Sequence, residues 1–239
     1  CIDHLVQYLR GVEVDKKTSD CARQAVLDAV EEEYPTGDGE DDSWSGKVVI
    51  YGDFLDSVVD SALGGSFDFI TGNLPYVRYK NIENLPCAPK IEDLRKRFHC
   101  FRGRCDYSVA FMEKLLGRLT EGGEAAVITS NAFTRANYGA KLREKIVTGG
   151  FGVDELDFAN MPVFEEKVNA YASLFVVKKE DNPKWRLITM RTTETGLARN
   201  GNILINFIKV IFYPSHIYSL YEHVNIKNCK CQKGDQKSK

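Results

Sequence analysis

At the end of an apolar run, Phe67 to Thr71, the chain places Gly72, Asn73, Leu74, Pro75 and Tyr76. An amide, backbone carbonyls and an aromatic ring thus meet where a strand gives way to a turn, and that grouping suits one chemistry. The exocyclic amine of a nucleobase is a poor nucleophile, because its lone pair is delocalised into the ring. Two acceptors, the Asn73 side-chain oxygen and a backbone carbonyl, hold the amine hydrogens and favour a pyramidal, more nucleophilic nitrogen. An aromatic ring beside them stacks on the base, which must leave its duplex to reach the corner. With a sulfonium methyl as the electrophile no charged general base is required, so the lack of a Cys or His catalytic motif is no objection.

Carboxylates end the two preceding strand-like runs. Glu13 and Asp15 close Arg10 to Asp15, and Asp53 follows Lys47 to Tyr51. A carboxylate after the first crossover accepts from ribose hydroxyls, and one a strand further on suits an adenine amine, with Phe54 against the ring. Together they point to an adenosyl cofactor. A single Asp at such a place reads first as a helix cap or turn residue. Three polar points at successive strand ends weaken that reading.

These points need elements to position them. Leu5 to Leu9 reads as the end of a helix. Ser19 to Glu33 reads as a helix with Ala22, Ala25, Val26, Ala29 and Val30 on one stripe, and Pro35 to Ser45 as a polar, acidic loop. Helices are expected at Phe54 to Leu63, at Tyr107 to Leu119 with Gly122-Gly123 as its stop, and at Tyr138 to Val147. Strands are expected at Phe67 to Thr71, Ala125 to Thr129, Val153 to Phe158 and Ala170 to Val177. A polar connector from Val77 to Arg104 carries Lys80, Lys90, Arg95, Lys96, Arg97, Arg102 and Arg104. Short apolar strands alternating with helices predict an α/β fold, an open sheet covered on both faces. Ligands of such sheets bind beyond the carboxyl ends of the strands.

Composition narrows the partners. The 239 residues are 43% hydrophobic, enough for one sizeable core, and the formal net charge of -2 announces no global polyanion or membrane partner. The chain has no apolar run of membrane-spanning length and no leader pattern, which predicts a cytoplasmic protein. Seven scattered cysteines suit reduced thiols. Cys87, His99, Cys100 and Cys105 lack the paired knuckles of a zinc site, as do Cys229 and Cys231, so no metal is expected.

GNLPYVRYKNI resembles the GNPPYVR motif of adenine-specific DNA methyltransferases, most closely those of the type IIG restriction-modification group. RGVEVDKKTSDCARQAV is similar to that family's cofactor-ribose segment and VVIYGDFLD to its cofactor-adenine segment. DYSVAFMEKLLGRLTEGGEAAVITSNAFTRANYGAKLREKI resembles the next helix, strand and helix, and NMPVFEEKVNAYASLFVVKK the late segment whose Phe lines the base pocket. The likeness runs from about Leu9 to Lys179 in the family's order. It implies a Rossmann-like, mostly parallel sheet of the class I methyltransferases, S-adenosylmethionine as cofactor, and DNA as the partner. It further implies that Asn73 and the Leu74 carbonyl hold the adenine amine at the Asn73-Leu74-Pro75-Tyr76 corner. Tyr76 would stack on the base, Phe164 pack near it and Arg78 meet phosphates, while Glu13 binds the ribose and Asp53, with Phe54, the adenine of the cofactor.

The chain departs from that pattern in two ways. Leu74 stands where the family has Pro, which frees an N–H and predicts a looser, slower corner. The family's first strand and Gly-rich loop have no counterpart before Leu9, and the chain begins with Cys1. The expectation is therefore an N-terminally truncated catalytic domain at 1–179 and a partly disordered extension at 180–239. Such a piece would require a missing N-terminal segment, recognition domain or subunit. Two alternatives remain open: a catalytically incomplete fragment that binds DNA or a subunit, and a protein-glutamine methyltransferase sharing the same corner.

Overall fold

The computed structural model describes residues 2–33, 42–85, 89–158, 172–181 and 183–189. They fall into two compact units, divided between Leu63 and Gly64.

In the first unit, α1 (Ile2–Tyr8) leads into β1 (Gly11–Glu13), then α2 (Lys16–Glu33), the single turn α3 (Ser45–Val48), β2 (Val49–Tyr51) and α4 (Ser57–Leu63). β1 and β2 pair in parallel, Gly11 opposite Val49 and Glu13 opposite Tyr51, with α2 in the crossover that parallel strands require. Helix α2 begins at Lys16, earlier than its apolar stripe suggests. Asp15 sets that start, its Oδ1 accepting from the Thr18 N–H at 2.8 Å and its carbonyl from the Ser19 N–H at 2.8 Å. The Arg23 guanidinium donates to the Val49 carbonyl at 2.9 Å and ties α2 to the start of β2. Val48, Ile50, Leu55, Val59 and Leu63 are buried.

The second unit is built on β3 (Phe67–Asn73), β4 (Leu119–Ser130), β5 (Phe151–Asp157), β6 (Ala172–Lys179) and β7 (Trp185–Thr189), in the spatial order β3-β4-β6-β5-β7. β6 alone runs against the others. The alternation of elements predicts one sheet, yet among the described residues β1–β2 and these five strands form two hydrogen-bonded ladders with no strand in common. Phe67 to Thr71 reads as a buried strand, but β3 sits at the margin of its sheet, and Phe69 is 47% exposed. β4 fits its apolar reading better: it is paired on both edges and buried from Ala125 through Thr129. β7 lies beyond the stretch that carries the family resemblance.

The two glycines expected to stop a helix do something else. α6 (Ser108–Leu116) ends before them, and they lie inside β4, where Gly122 takes a positive φ of 75° and the β3–β4 register shifts between Phe67 and Phe69.

The basic connector folds rather than trailing in solvent. It contains a 3-10 segment at Tyr79–Asn84 and α5 (Ile91–Arg97), and it buries Ile82, Ile91, Leu94, Phe98 and Phe101. Arg95 donates to the Tyr79 hydroxyl at 3.0 Å and the Gly103 carbonyl at 3.2 Å, while Arg102 donates to the Arg95, Phe98 and Phe101 carbonyls. Buried Glu113 on α6 accepts from the His99 and Cys100 N–H groups at 3.0 and 2.7 Å and faces Lys145 at 3.6 Å. The Tyr107 N–H donates to the Val77 carbonyl at 2.9 Å, closing the connector onto itself. Burial pushes the Cys100 and Cys105 thiols up to about 12, which marks them as inert packing groups. After β4 come α7 (Ala132–Arg135), a 3-10 turn at Asn137–Gly139, and α8 (Ala140–Thr148), which buries Leu142 and Ile146 one turn apart.

Candidate active site

Within the first unit, Glu13 ends β1 and Asp53 follows β2, so the parallel register puts both at the same carboxyl edge. The Gly52 N–H donates to the Glu13 carbonyl at 2.9 Å, which fixes the two strand ends together. A Cβ at Gly52 would come within 2.6 Å of Val59 Cγ2, so the close packing of α4 depends on glycine there. Glu13 Oε1 accepts from the Asp15 N–H at 2.8 Å, and Asp53 Oδ1 from the Leu55 N–H at 2.8 Å. Phe54 is half-buried beside Asp53. The turn-residue reading of these acids is therefore true as far as it goes: each orders its own turn. Asp15 is a cap, and hydrogen bonds from the Thr18 hydroxyl and N–H hold its carboxyl below the usual range. Paired acceptors at one strand edge beside an aromatic ring fit the hydroxyls and base of an adenosyl group.

Within the second unit, β3 delivers the polar corner. Asn73 is its last residue, exposed, and opposite Ile128 of β4. The Leu74 N–H does not hang free as its departure from Pro suggests. It donates to the Ile128 carbonyl at 2.9 Å, and its side chain is buried, so the β3–β4 ladder gains one bond that a proline lacks. Pro75 and Tyr76 are half-buried. Tyr76 packs on a cluster of Ala126, Ile128, Leu156, Phe158, Ala172 and Leu174, contributed mainly by β4, β5 and β6. Burial raises its phenol, which stays protonated at any working pH. Arg78 is exposed just past the corner, at the start of the connector's 3-10 segment. Phe164 lies outside the described residues.

A polar group that the sequence reading passed over lies on the far side of the same strands. Asn131, directly after β4, donates from Nδ2 to Asp157 Oδ1 at 3.3 Å and to Ser173 Oγ at 3.1 Å. Ser173 Oγ donates to Glu155 Oε1 at 3.4 Å, and Trp185 Nε1 to Glu155 Oε2 at 3.2 Å. Burial raises the Glu155 carboxyl above the ordinary Glu value. The signal was present in VDELDF, where Glu155 and Asp157 share one face of a strand whose neighbours are apolar. Among the described residues no set of His, Cys, Asp and Glu is arranged to hold a metal ion.

The chain is similar in sequence and in fold to known proteins. The chain is 33% identical over 184 residues to the type II methyltransferase M.BstVI of Geobacillus stearothermophilus, covering 77% of this chain and 32% of that protein. To the type II methyltransferase M.PaeR7I of Pseudomonas aeruginosa it is 28% identical over 204 residues, covering 82% and 33%. It thus spans about a third of the length of these curated relatives. Among solved structures, the fold matches DrdV in its DNA complex with a TM-score of 0.59 at 14% identity, over 76% of this chain and 21% of that one. It matches the EcoKI M protein of a type I restriction enzyme with a TM-score of 0.54 at 14% identity, over 84% and 40%. Residues 12–164, which carry Glu13, Asp53 and the Asn73 corner, match the model of the Eco57I restriction-modification methylases, and the chain belongs to that family.

Proposed function

We propose that this chain carries the catalytic centre of a restriction-modification DNA methyltransferase, which methylates the exocyclic N6 of an adenine turned out of the duplex. The observation that carries the reading is the Asn73–Tyr76 corner: an exposed amide at a strand end, with the next N–H tied to Ile128 and an aromatic ring seated on the apolar cluster beside it. When bound, S-adenosylmethionine supplies an electrophilic methyl group. Asn73 Oδ1 and the Leu74 carbonyl accept the two N6 hydrogens and draw the nitrogen out of conjugation, so that its lone pair becomes available. Tyr76, neutral and anchored by packing, stacks on the base and aligns it. Glu13 and Asp53 hold the ribose and adenine of the cofactor, with Phe54 against its ring, and Phe164 lines the base pocket. Arg78 meets a phosphate of the DNA strand. None of the described helices is long and apolar enough to cross a membrane. A DNA substrate would put the enzyme in the cytoplasm.

The test is product identification. Duplex DNA incubated with the chain and methyl-labelled S-adenosylmethionine is digested to nucleosides and resolved by mass spectrometry. The expected label is in N6-methyladenine. Label in a methylated cytosine would overturn the assignment of the base, and label only in a glutamine-containing protein substrate would overturn DNA as the substrate.

A further inference from the structure

Several arginines of the second unit are occupied within the fold. Arg95, Arg102, Arg118 and Arg143 donate to backbone carbonyls and act as staples. Arg135 does not. Its side chain is 73% exposed, it donates no hydrogen bond among the described residues, and its ion-pair partner is Asp157 Oδ2 at 3.6 Å. The pair joins this exposed guanidinium to a carboxylate that is only 10% exposed, at a distance too long for a hydrogen bond. On that side of the sheet Glu155 accepts from Ser173 and Trp185, and Asp157 accepts from Asn131 at Oδ1 while its Oδ2 faces Arg135.

The turn that bears Arg135 is held on every side. Asn131 anchors its start to β5 and β6, and the Thr134 hydroxyl closes onto the Asn131 carbonyl at 2.8 Å. Arg143 donates to the Phe133 and Ala136 carbonyls at 2.6 and 2.9 Å. The Tyr138 hydroxyl donates to Asp106 Oδ2 at 2.7 Å, which ties the turn to the end of the basic connector. Gly139 approaches so closely that a Cβ would sit 1.9 Å from the Phe133 carbonyl oxygen. This rigid turn leaves β4 at its carboxyl end, a few residues beyond Ile128, whose carbonyl holds Leu74. Arg135 therefore stands at the same carboxyl edge of the sheet as the corner, on the face of Asp157, an exposed cation carried by a preordered backbone.

We infer that Arg135 is a phosphodiester contact that places the DNA strand beside the Asn73–Tyr76 corner. The inference rests on the DNA reading above. A guanidinium that donates no hydrogen bond among the described residues grips a phosphate in a forked geometry, and each neutralised phosphate leaves a mark on the salt dependence of binding.

The experiment is fluorescence anisotropy of a labelled duplex with the full chain across a salt series. Wild type, Arg135→Gln, Arg135→Lys and Lys184→Gln are compared, Lys184 being exposed just before β7, at the opposite, amino edge of the sheet. For Arg135→Gln the slope of log K against log salt is expected to fall by about 0.9, with an unchanged Tm and equal weakening on unrelated sequences. Arg135→Lys should keep the slope, and Lys184→Gln should match wild type. An unchanged slope in Arg135→Gln overturns the inference, as does an equal loss in Lys184→Gln. A fall in Tm that tracks the loss of affinity also overturns it, because that would make Arg135 a structural partner of Asp157. If wild type itself binds no duplex, the DNA reading fails first and takes this inference with it.

Discussion

The acids of the first unit and the corner of the second are positioned by opposite means. Glu13, Asp15 and Asp53 hydrogen-bond to backbone N–H groups two or three residues further along, so each is held by its own turn. Leu74 is held by a strand distant in sequence, and Tyr76 rests on side chains from three strands. Locally held groups keep their geometry even when the rest of the fold adjusts. Groups held from a distance are exact only while the whole sheet keeps its register. The difference matches the chemistry assigned to each: a cofactor gripped at several points tolerates small shifts, whereas an amine approached by two acceptors does not.

The contrast can be broken most forcefully from the second unit. Gly139→Ala forces a Cβ into the Phe133 carbonyl, and the backbone has to move. We expect a loss of about 3 kcal/mol in urea unfolding followed by Trp185, in a Trp44→Phe background that silences the first unit. Leu74→Pro is next. It deletes the donor to Ile128 and replaces a buried, branched side chain with a smaller ring, and should cost the second unit about 2 kcal/mol while Trp44, read in a Trp185→Phe background, reports no change. A stabilised Leu74→Pro variant would show that the ladder bond contributes nothing.

The smallest effect sharpens the comparison through pH. Asp15 has a lowered folded pKa, so its contribution is complete above the unfolded Asp value, about 3.9, and is lost as pH falls through the folded one. Glu155 has a raised folded pKa, so its contribution is complete below the unfolded Glu value, about 4.3, and is lost as pH rises through the folded one. Acidification from neutral pH should therefore strengthen the second unit while it weakens the first. Asp15→Asn should flatten the profile read by Trp44, and Glu155→Gln the profile read by Trp185. Parallel profiles from the two tryptophans would remove the distinction.

The sequence disclosed the elements wherever one physical signal dominated. The AAVIT run of β4 is apolar because both its edges and both its faces are covered, and α8 shows its buried face in Leu142 and Ile146. FDFIT carries the same signal yet forms a marginal strand, because a string of apolar residues does not record how many neighbours a strand has. The corner residues were legible by type, since an amide and a ring at a strand end are out of place without a task. The hydrogen bond of Leu74 was not, because it depends on the register of β3 against β4 and not on any residue nearby. Asn131, Asp157 and Ser173 escaped notice for the same reason: three unremarkable polar residues converge only when β4, β5 and β6 lie side by side.

The central claim is that the Asn73 amide activates the target amine. Its most direct measurement is single-turnover methyl transfer to duplex DNA by Asn73→Ala, run beside S-adenosylhomocysteine binding by calorimetry. Asn73 is exposed, so the fold should survive the change. The account predicts that the methyl-transfer step slows by about 100-fold or more while cofactor affinity stays within about twofold of wild type. Transfer at the wild-type rate would contradict it, as would a loss of transfer fully explained by lost cofactor binding.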